Sequence, residues 1–228
     1  MPPILRIGHR GAAGHEPENT LRSIQKALSL HAGMVEIDVH LCRTGEPVVI
    51  HDLKLERTTN GRGKVSGHTL AQLKGLNAGK GEKIPLLTEV LDLISRRTKI
   101  NIELKGKGTA QPVVKIIETY VRQKGWAYSD FLVSTASRRH LTLIHKMNPL
   151  IPLGILYRYP SPGFWRFATK IEAYSVNPHC QKINAKFVQI AHKRNLKVFA
   201  WTANSPEDIK RLREIGVDGI FTDYPERV

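Results

Sequence analysis

Two short segments carry ionisable residues at a spacing that could do chemistry. Glu36-Ile37-Asp38 and Glu103-Leu104-Lys105 each place polar groups two positions apart. In an extended strand each pair shares one face, while Ile37 and Leu104 point to the other. A buried carboxylate is costly unless it is paired or bound to metal. Glu36, Asp38 and Glu103 could therefore converge on a hard divalent cation with oxygen ligands, Mg2+ or Ca2+, better than on zinc. The same residues could instead form a salt-bridge network with Lys105 and Arg10, and the spacing alone does not choose. His9, followed by Arg10-Gly11, and His51, followed by Asp52, add imidazoles that titrate near neutral pH and are candidates for general acid and base. Of the ten histidines, His31, His140, His145 and His192 fall in predicted helices and read as surface residues.

These groups need a scaffold that brings them together. Short apolar runs at Leu5–Gly8, Val35–Leu41, Val48–His51, Ile100–Leu104, Phe131–Ser134, Leu153–Tyr157, Tyr174–Asn177, Val198–Trp201 and Gly219–Thr222 read as strands bounded by turn residues. Helical patterns cover Leu21–His31, Thr88–Arg97, Gln111–Lys124, Arg138–Met147, Phe164–Lys170, Asn184–Arg194 and Pro206–Ile215. Thr88 is read as a helix start, with Leu87 and Leu91 as a staple. Ser205-Pro206 is read as a cap followed by a first-turn proline, and Gly125 and Gly216 as helix stops. A helix separates every consecutive strand pair except the second and third. Treating Val48–His51 as an extra antiparallel strand leaves eight strands alternating with helices, the pattern of an α/β (β/α)8 TIM barrel. An open doubly wound sheet is the second choice, and no dinucleotide glycine fingerprint supports it.

A two-residue turn at Thr44-Gly45 would set Asp38 opposite His51, whereas a bulge at Gly45 would shift that register. The segment from Leu53 to Pro85, rich in glycine and asparagine, reads as an insertion. The whole of 1–228 is expected to be a single catalytic barrel domain with its insertion at about 53–85. Chemistry in such barrels gathers where strands end. His9, Arg10, Glu103, Lys105, Ser134, Asn177, Trp201 and Asp223 all fall at predicted strand ends.

Composition narrows the function classes. The chain has 41% hydrophobic and 24% charged residues, ordinary values for a globular chain and against disorder. Its 35 Lys and Arg against 20 Asp and Glu give a formal charge of +15, which attracts anions. The cations are dispersed in pairs such as Arg96-Arg97 and Lys210-Arg211, so they read as a solvated surface, with no specific nucleic acid as partner. Two cysteines, Cys42 and Cys180, exclude a disulfide scaffold or a four-cysteine zinc site. The N-terminus lacks a secretory pattern, and no apolar run is long enough to span a bilayer, so a cytoplasmic location is expected.

The ordered motifs resemble the glycerophosphodiester phosphodiesterase family. They are His9-Arg10-Gly11, Pro17-Glu18-Asn19-Thr20, Glu36-Ile37-Asp38-Val39, His51-Asp52, Leu55-Glu56-Arg57-Thr58-Thr59-Asn60-Gly61, Ile102-Glu103-Leu104-Lys105, Trp201-Thr202-Ala203-Asn204 and Gly216-Val217-Asp218-Gly219-Ile220-Phe221-Thr222-Asp223. They run in family order across nearly the whole chain. The resemblance implies a metal-dependent phosphodiesterase on a (β/α)8 barrel, releasing sn-glycerol 3-phosphate and an alcohol from small anionic phosphodiesters. It implies Glu36, Asp38 and Glu103 as ligands of one divalent cation, Mg2+ or Ca2+. It implies His9 and His51 as the acid–base pair, and Arg10, Lys105 and Trp201 as substrate-binding residues. Ser134-Thr135-Ala136 departs from the Ser-x-Phe element common in the family, so an aromatic wall near the glycerol would be absent or come from elsewhere. The aromatic stretch Tyr157 to Phe167 could supply it and make weak contact with a membrane surface. Packing of Phe164, Trp165 and Phe167 against the barrel is the preferred reading of that stretch. A lysophospholipase D acting on lysophospholipids is the alternative activity, and a non-catalytic basic binding module a distant one.

Overall fold

The structure, a computed structural model, describes residues 3–157 and 162–228. Among these, nine strands form one sheet: β1 (Leu5–Gly8), β2 (Met34–Leu41), β3 (Pro47–Val49), β4 (Lys99–Leu104), β5 (Phe131–Thr135), β6 (Leu153–Tyr157), β7 (Ser175–Pro178), β8 (Lys197–Ala200) and β9 (Gly219–Thr222). The sheet order is β1-β9-β8-β7-β6-β5-β4-β2-β3, and β1 also pairs with β2. Eight parallel strands therefore close on themselves, and β3 hangs antiparallel on β2. This is the (β/α)8 barrel with an extra strand that the alternation of elements predicts.

Seven helices connect the barrel strands: α1 (Leu21–Ser29), α3 (Leu87–Ile94), α4 (Ala110–Gln123), α5 (Arg138–Met147), α6 (Phe164–Lys170), α7 (Ala185–His192) and α8 (Pro206–Glu214). A further short helix, α2 (Leu70–Gly75), lies in the inserted segment. It has only six residues, too few to show a helical period in the sequence. Val35, Ile37 and Val39 of β2 join the main core with Ile24, Leu91, Ile102 and Val133. Their alternates turn inward, where Ile7, Met34, Leu132, Phe199 and Phe221 form a separate apolar cluster. This two-sided burial is the expected condition of a barrel strand, and it leaves Glu36 and Asp38 of β2 each 1% exposed.

Two details differ from the sequence reading, and a third settles an alternative that it left open. Helix α3 starts at Leu87 rather than Thr88, because Glu89 Oε2 accepts the Leu86 N–H at 2.7 Å and satisfies the helix start from within the first turn. His31 lies beyond the end of α1 with φ 56°, rather than inside the helix. The β2–β3 register pairs Val39 with Val49 and His40 with Val48, so Ile50 rather than His51 stands opposite Asp38. The loop carries an additional residue: Gly45, at φ 96°, donates its N–H to the Cys42 carbonyl. That is the bulge arrangement that moves a hairpin by one position. The insertion buries its own small cluster of Leu55, Val65, Leu73, Ala78 and Ile84, with Val48 and Ile50 of the hairpin. In the aromatic stretch, Arg158 to Ser161 lie outside the described residues. Phe164 is buried, and Trp165 and Phe167 pack against the barrel core.

Candidate active site

The strand ends at the β1, β2 and β4 side of the barrel bring the acids together. Asp38 of β2 is paired in register with Glu103 of β4, and Glu36 with Asn101. Oxygen atoms of Glu36, Asp38 and Glu103 lie within 4.8 Å of one another and could hold a metal ion. Two cations approach this cluster. Lys105 Nζ bonds Glu103 Oε1 and lies 3.3 Å from Asp38 Oδ1. Arg10 Nε lies 3.4 Å from Asp38 Oδ2, and the Arg10 backbone N–H donates to Glu36 Oε2 at 2.8 Å. The acid cluster and the two cations of the alternative salt-bridge network thus share one place.

The electrostatics show that two cations do not satisfy three carboxylates. Burial raises the Glu36 carboxyl well above the ordinary value, and Asp38 and Glu103 add to the rise. Burial and then Asp38 push Glu103 up to about 7, against the pull of Lys105. Burial would also raise Asp38, but Lys105, Arg10, His51 and the Asn19 amide together hold it low. Asn19 Nδ2 donates to Asp38 Oδ2 at 2.8 Å, and the Asp38 N–H returns to Asn19 Oδ1 at 3.1 Å. Glu36 Oε1 is buried with no hydrogen-bond partner among the described residues. An all-oxygen donor set, one orphaned carboxylate oxygen and excess negative charge fit a hard divalent cation.

The His-Arg-Gly loop after β1 is locally strained. Arg10 has φ 53° and Gly11 φ 85°. A Cβ on Gly11 would fall 2.4 Å from Ser23 Oγ, so the close approach of this loop to α1 requires glycine. Arg10 keeps its conformation because its N–H is held by Glu36 and its carbonyl accepts the Asn19 N–H at 3.0 Å.

Each histidine is fixed by an aspartate. His9 Nδ1 bonds Asp223 Oδ1 at 2.7 Å, and Asn204 Nδ2 holds Asp223 Oδ2 at 2.6 Å. His51 Nδ1 bonds Asp52 Oδ1 at 2.5 Å, and Arg57 Nε holds Asp52 Oδ2 at 2.6 Å. A carboxylate on Nδ1 fixes the tautomer that leaves Nε2 as the free acceptor on each ring. Burial lowers the His51 imidazole below its ordinary value despite Asp38 and Asp52, which favours the neutral ring at neutral pH.

These groups line one cavity of about 610 Å³. Seven of the eight residues proposed from the sequence line it: His9, Arg10, Glu36, His51, Glu103, Lys105 and Trp201. Asp38, the eighth, is buried beside them. The wall across the barrel is formed by Ala136, Ile155, Leu156, Tyr157 and Phe164, with Arg138 the one charged residue among them. Ala136 is the position where the sequence lacks the expected aromatic ring, and Tyr157 and Phe164 supply rings from the next strand and helix, 4.6 Å apart. Trp201 Nε1 donates to the Asn177 carbonyl at 2.6 Å, so this side chain offers the cavity an apolar ring rather than a donor.

The sequence reading named Asp223 as a strand-end residue without pairing it to His9. It gave no role to Glu18, Asn19, Arg57 or Asn204, although all four stood inside the motifs quoted. The Asn19–Asp38, Glu18–Arg57 and Asn204–Asp223 contacts span 19 to 39 positions, separations invisible to local spacing.

Residues 9–227 match the model of the glycerophosphoryl diester phosphodiesterase family. The chain is 37% identical over 235 residues to a glycerophosphodiester phosphodiesterase of Caldanaerobacter subterraneus subsp. tengcongensis, covering 97% of this chain and 95% of that one. It is 35% identical over 237 residues to a glycerophosphodiester phosphodiesterase of Bacillus altitudinis, with the same two coverages. Its fold is similar to that of an Oleispira antarctica phosphodiesterase in complex with the product sn-glycerol-3-phosphate, with TM-score 0.90 and 30% identity over 99% of this chain and 94% of that one.

Proposed function

The chain belongs to the glycerophosphoryl diester phosphodiesterase family, and on that footing we propose that the cavity between the two histidine–aspartate pairs is its catalytic site. The activity is hydrolysis of glycerophosphodiesters to sn-glycerol 3-phosphate and an alcohol. One observation carries the assignment of the site: two aspartate-fixed imidazoles open on the same cavity as Glu36, Glu103, Arg10 and Lys105.

A phosphodiester is anionic, and an approaching nucleophile meets repulsion until the charge is neutralised. Arg10 and Lys105 hold the phosphate and supply two positive charges beside the acid cluster. A divalent cation, Mg2+ or Ca2+, held by Glu36, Asp38 and Glu103 would polarise a phosphoryl oxygen and offset the charge that develops there. One imidazole Nε2 accepts the proton of the attacking oxygen, which belongs to water or to the substrate's own glycerol hydroxyl. The other, protonated, delivers a proton to the oxygen of the departing alcohol as its bond to phosphorus breaks. Asp223 and Asp52 hold the rings in the required tautomer and stabilise each when it is charged. The apolar wall of Ile155, Tyr157 and Phe164 receives the uncharged part of the substrate and keeps bulk water from that side. That wall also supports a second reading, in which the glycerol that stays on the phosphate carries an acyl chain, the head-group alcohol departs as before, and the enzyme acts as a lysophospholipase D.

Among the described residues no helix is long and apolar enough to cross a membrane, and both cysteines are buried and free. A reducing cytoplasm is the location these thiols fit.

The test is release of sn-glycerol 3-phosphate from glycerophosphocholine, with and without EDTA, by the wild type and by His9→Ala. Loss of activity in both arms is expected. Full activity with EDTA overturns the metal assignment, and full activity of His9→Ala overturns the role of that histidine. Faster turnover of lysophosphatidylcholine than of glycerophosphocholine would select the second reading.

A further inference from the structure

We propose that Arg57, in the inserted segment, is a positioning residue that locks the proton-transfer group His51 and the phosphate-binding group Arg10 into one unit. The inference rests on the roles proposed above for those two side chains.

Arg57 is not among the residues that line the cavity, and neither are its partners Asp52 and Glu18. Its guanidinium makes four hydrogen bonds to two carboxylates. Nε donates to Asp52 Oδ2 at 2.6 Å and Nη2 to Asp52 Oδ1 at 3.0 Å. Nη1 donates to Glu18 Oε2 at 2.7 Å and Nη2 to Glu18 Oε1 at 2.8 Å. Each carboxylate has a second partner in the cavity wall. Asp52 Oδ1 bonds His51 Nδ1 at 2.5 Å, and Glu18 Oε1 accepts from Arg10 Nη1 at 2.7 Å. The result is an unbroken chain, His51–Asp52–Arg57–Glu18–Arg10. It joins the loop after β1, the end of the β3 segment and the insertion.

The chemistry of the link demands a guanidinium. Arg57 must present two N–H groups to one carboxylate and two to another in a fixed plane, which the five-donor fork does and a lysine ammonium does not. Exposed ion pairs contribute little to stability, and the Arg57 side chain is 46% exposed. The effect of losing Arg57 is therefore expected in the geometry of His51 and Arg10 more than in the melting of the fold. The link also explains what the insertion does for the reaction. It lies outside the barrel, yet through Arg57 it sets the orientation of both His51 and Arg10.

The two arms make the proposal separable from a role in packing. Steady-state kinetics on glycerophosphocholine, binding of sn-glycerol 3-phosphate by calorimetry and thermal unfolding are measured for Asp52→Asn, Glu18→Gln, Arg57→Ala, Arg57→Lys and His51→Ala. Asp52→Asn is expected to lower kcat by about 10- to 100-fold at nearly constant KM, because only the histidine arm is released. Glu18→Gln is expected to raise KM and weaken sn-glycerol 3-phosphate binding, with kcat much less affected. Arg57→Ala combines both defects at a melting temperature close to the wild type, and Arg57→Lys restores at most one of them. Should Arg57→Ala fail to fold, the near-isosteric Asp52→Asn and Glu18→Gln carry the test. Wild-type kcat and KM in Arg57→Ala, or parallel loss of kcat and melting temperature in all variants with no split between the arms, overturns the proposal. Wild-type activity of His51→Ala instead overturns the catalytic site on which the proposal stands.

Discussion

The two histidine–aspartate pairs open on one cavity but are made by different parts of the molecule. His9 and Asp223 stand 214 positions apart and meet because β1 pairs with β9, Gly8 beside Thr222. The His9 N–H bonds the Thr222 carbonyl, and Asn204 grips Asp223 through both its carboxylate and its backbone N–H. That pair belongs to the closed barrel. His51 and Asp52 are neighbours in sequence, just beyond β3, and their support comes from Arg57 and the small apolar cluster of the insertion. One pair depends on the barrel as a whole, and the other on a side structure with its own small apolar cluster. The difference separates what fixes a catalytic geometry from what fixes the fold.

The largest effects test whether the two pairs are partners of equal rank. His9→Ala and His51→Ala are each expected to lower kcat by about 10²- to 10⁴-fold, the usual contribution of a positioned acid or base. The measurement is single-turnover release of sn-glycerol 3-phosphate. A loss confined to one histidine would break the symmetry and assign both proton transfers to the same ring.

The contrast also accounts for what could be read from the sequence. Strands β1, β6 and β9 fall within the predicted residues because each is a short apolar run between turn residues. The acid pair on β2 was legible because its period of two requires a shared face. His51–Asp52 was visible as a local pair, whereas His9–Asp223 required knowing which strand closes the barrel. The hairpin register stayed open in the sequence between a two-residue turn and a bulge at Gly45, because no side-chain pattern chooses between them, and the structure takes the bulge. Arg57 went unassigned for a related reason. Its partners Asp52 and Glu18 come from separate loops, and only folding brings them within reach of one guanidinium.

The next test weakens one region alone. Leu73 is fully buried in the insertion cluster. Leu73→Ala is expected to destabilise that cluster by about 2–5 kcal/mol through lost burial and a residual cavity. Hydrogen exchange should quicken across residues 53–85 while the strands of the barrel stay protected. Equal acceleration in β1 and β9 would show that the insertion is not a separate stability unit.

Asp223→Asn acts on the barrel pair. It is expected to lower kcat by about 10- to 100-fold, since the amide no longer fixes the His9 tautomer. It also has a pH signature. Burial would raise the Asp223 carboxyl, but His9 and Asn204 hold it below its ordinary value of 3.8. A depressed carboxyl contributes stability that is present above its unfolded value and is lost as pH falls through its folded value. Thermal melts taken downward from pH 5 should therefore fall less steeply in Asp223→Asn than in the wild type. Parallel curves would show that the pair does not contribute to acid stability.

The smallest effects compare matched caps in the two regions. Thr69 Oγ1 accepts the Gln72 N–H and Gln72 Oε1 accepts the Thr69 N–H, a capping box at the start of α2 in the insertion. Ser205 Oγ accepts the Asp208 N–H at the start of α8, next to Asn204 and its aspartate. Removing either hydroxyl by Thr69→Ala or Ser205→Ala is expected to cost about 1 kcal/mol. The two losses should be read out differently. Ser205→Ala should lower the global melting temperature, because α8 packs on the closed barrel. Thr69→Ala should leave that temperature nearly unchanged and appear as faster local exchange around α2, with a small drop in kcat through the Asp52–Arg57 support. If Thr69→Ala instead lowers the melting temperature as much as Ser205→Ala does, the insertion and the barrel unfold as one unit, and the two pairs share a single source of rigidity.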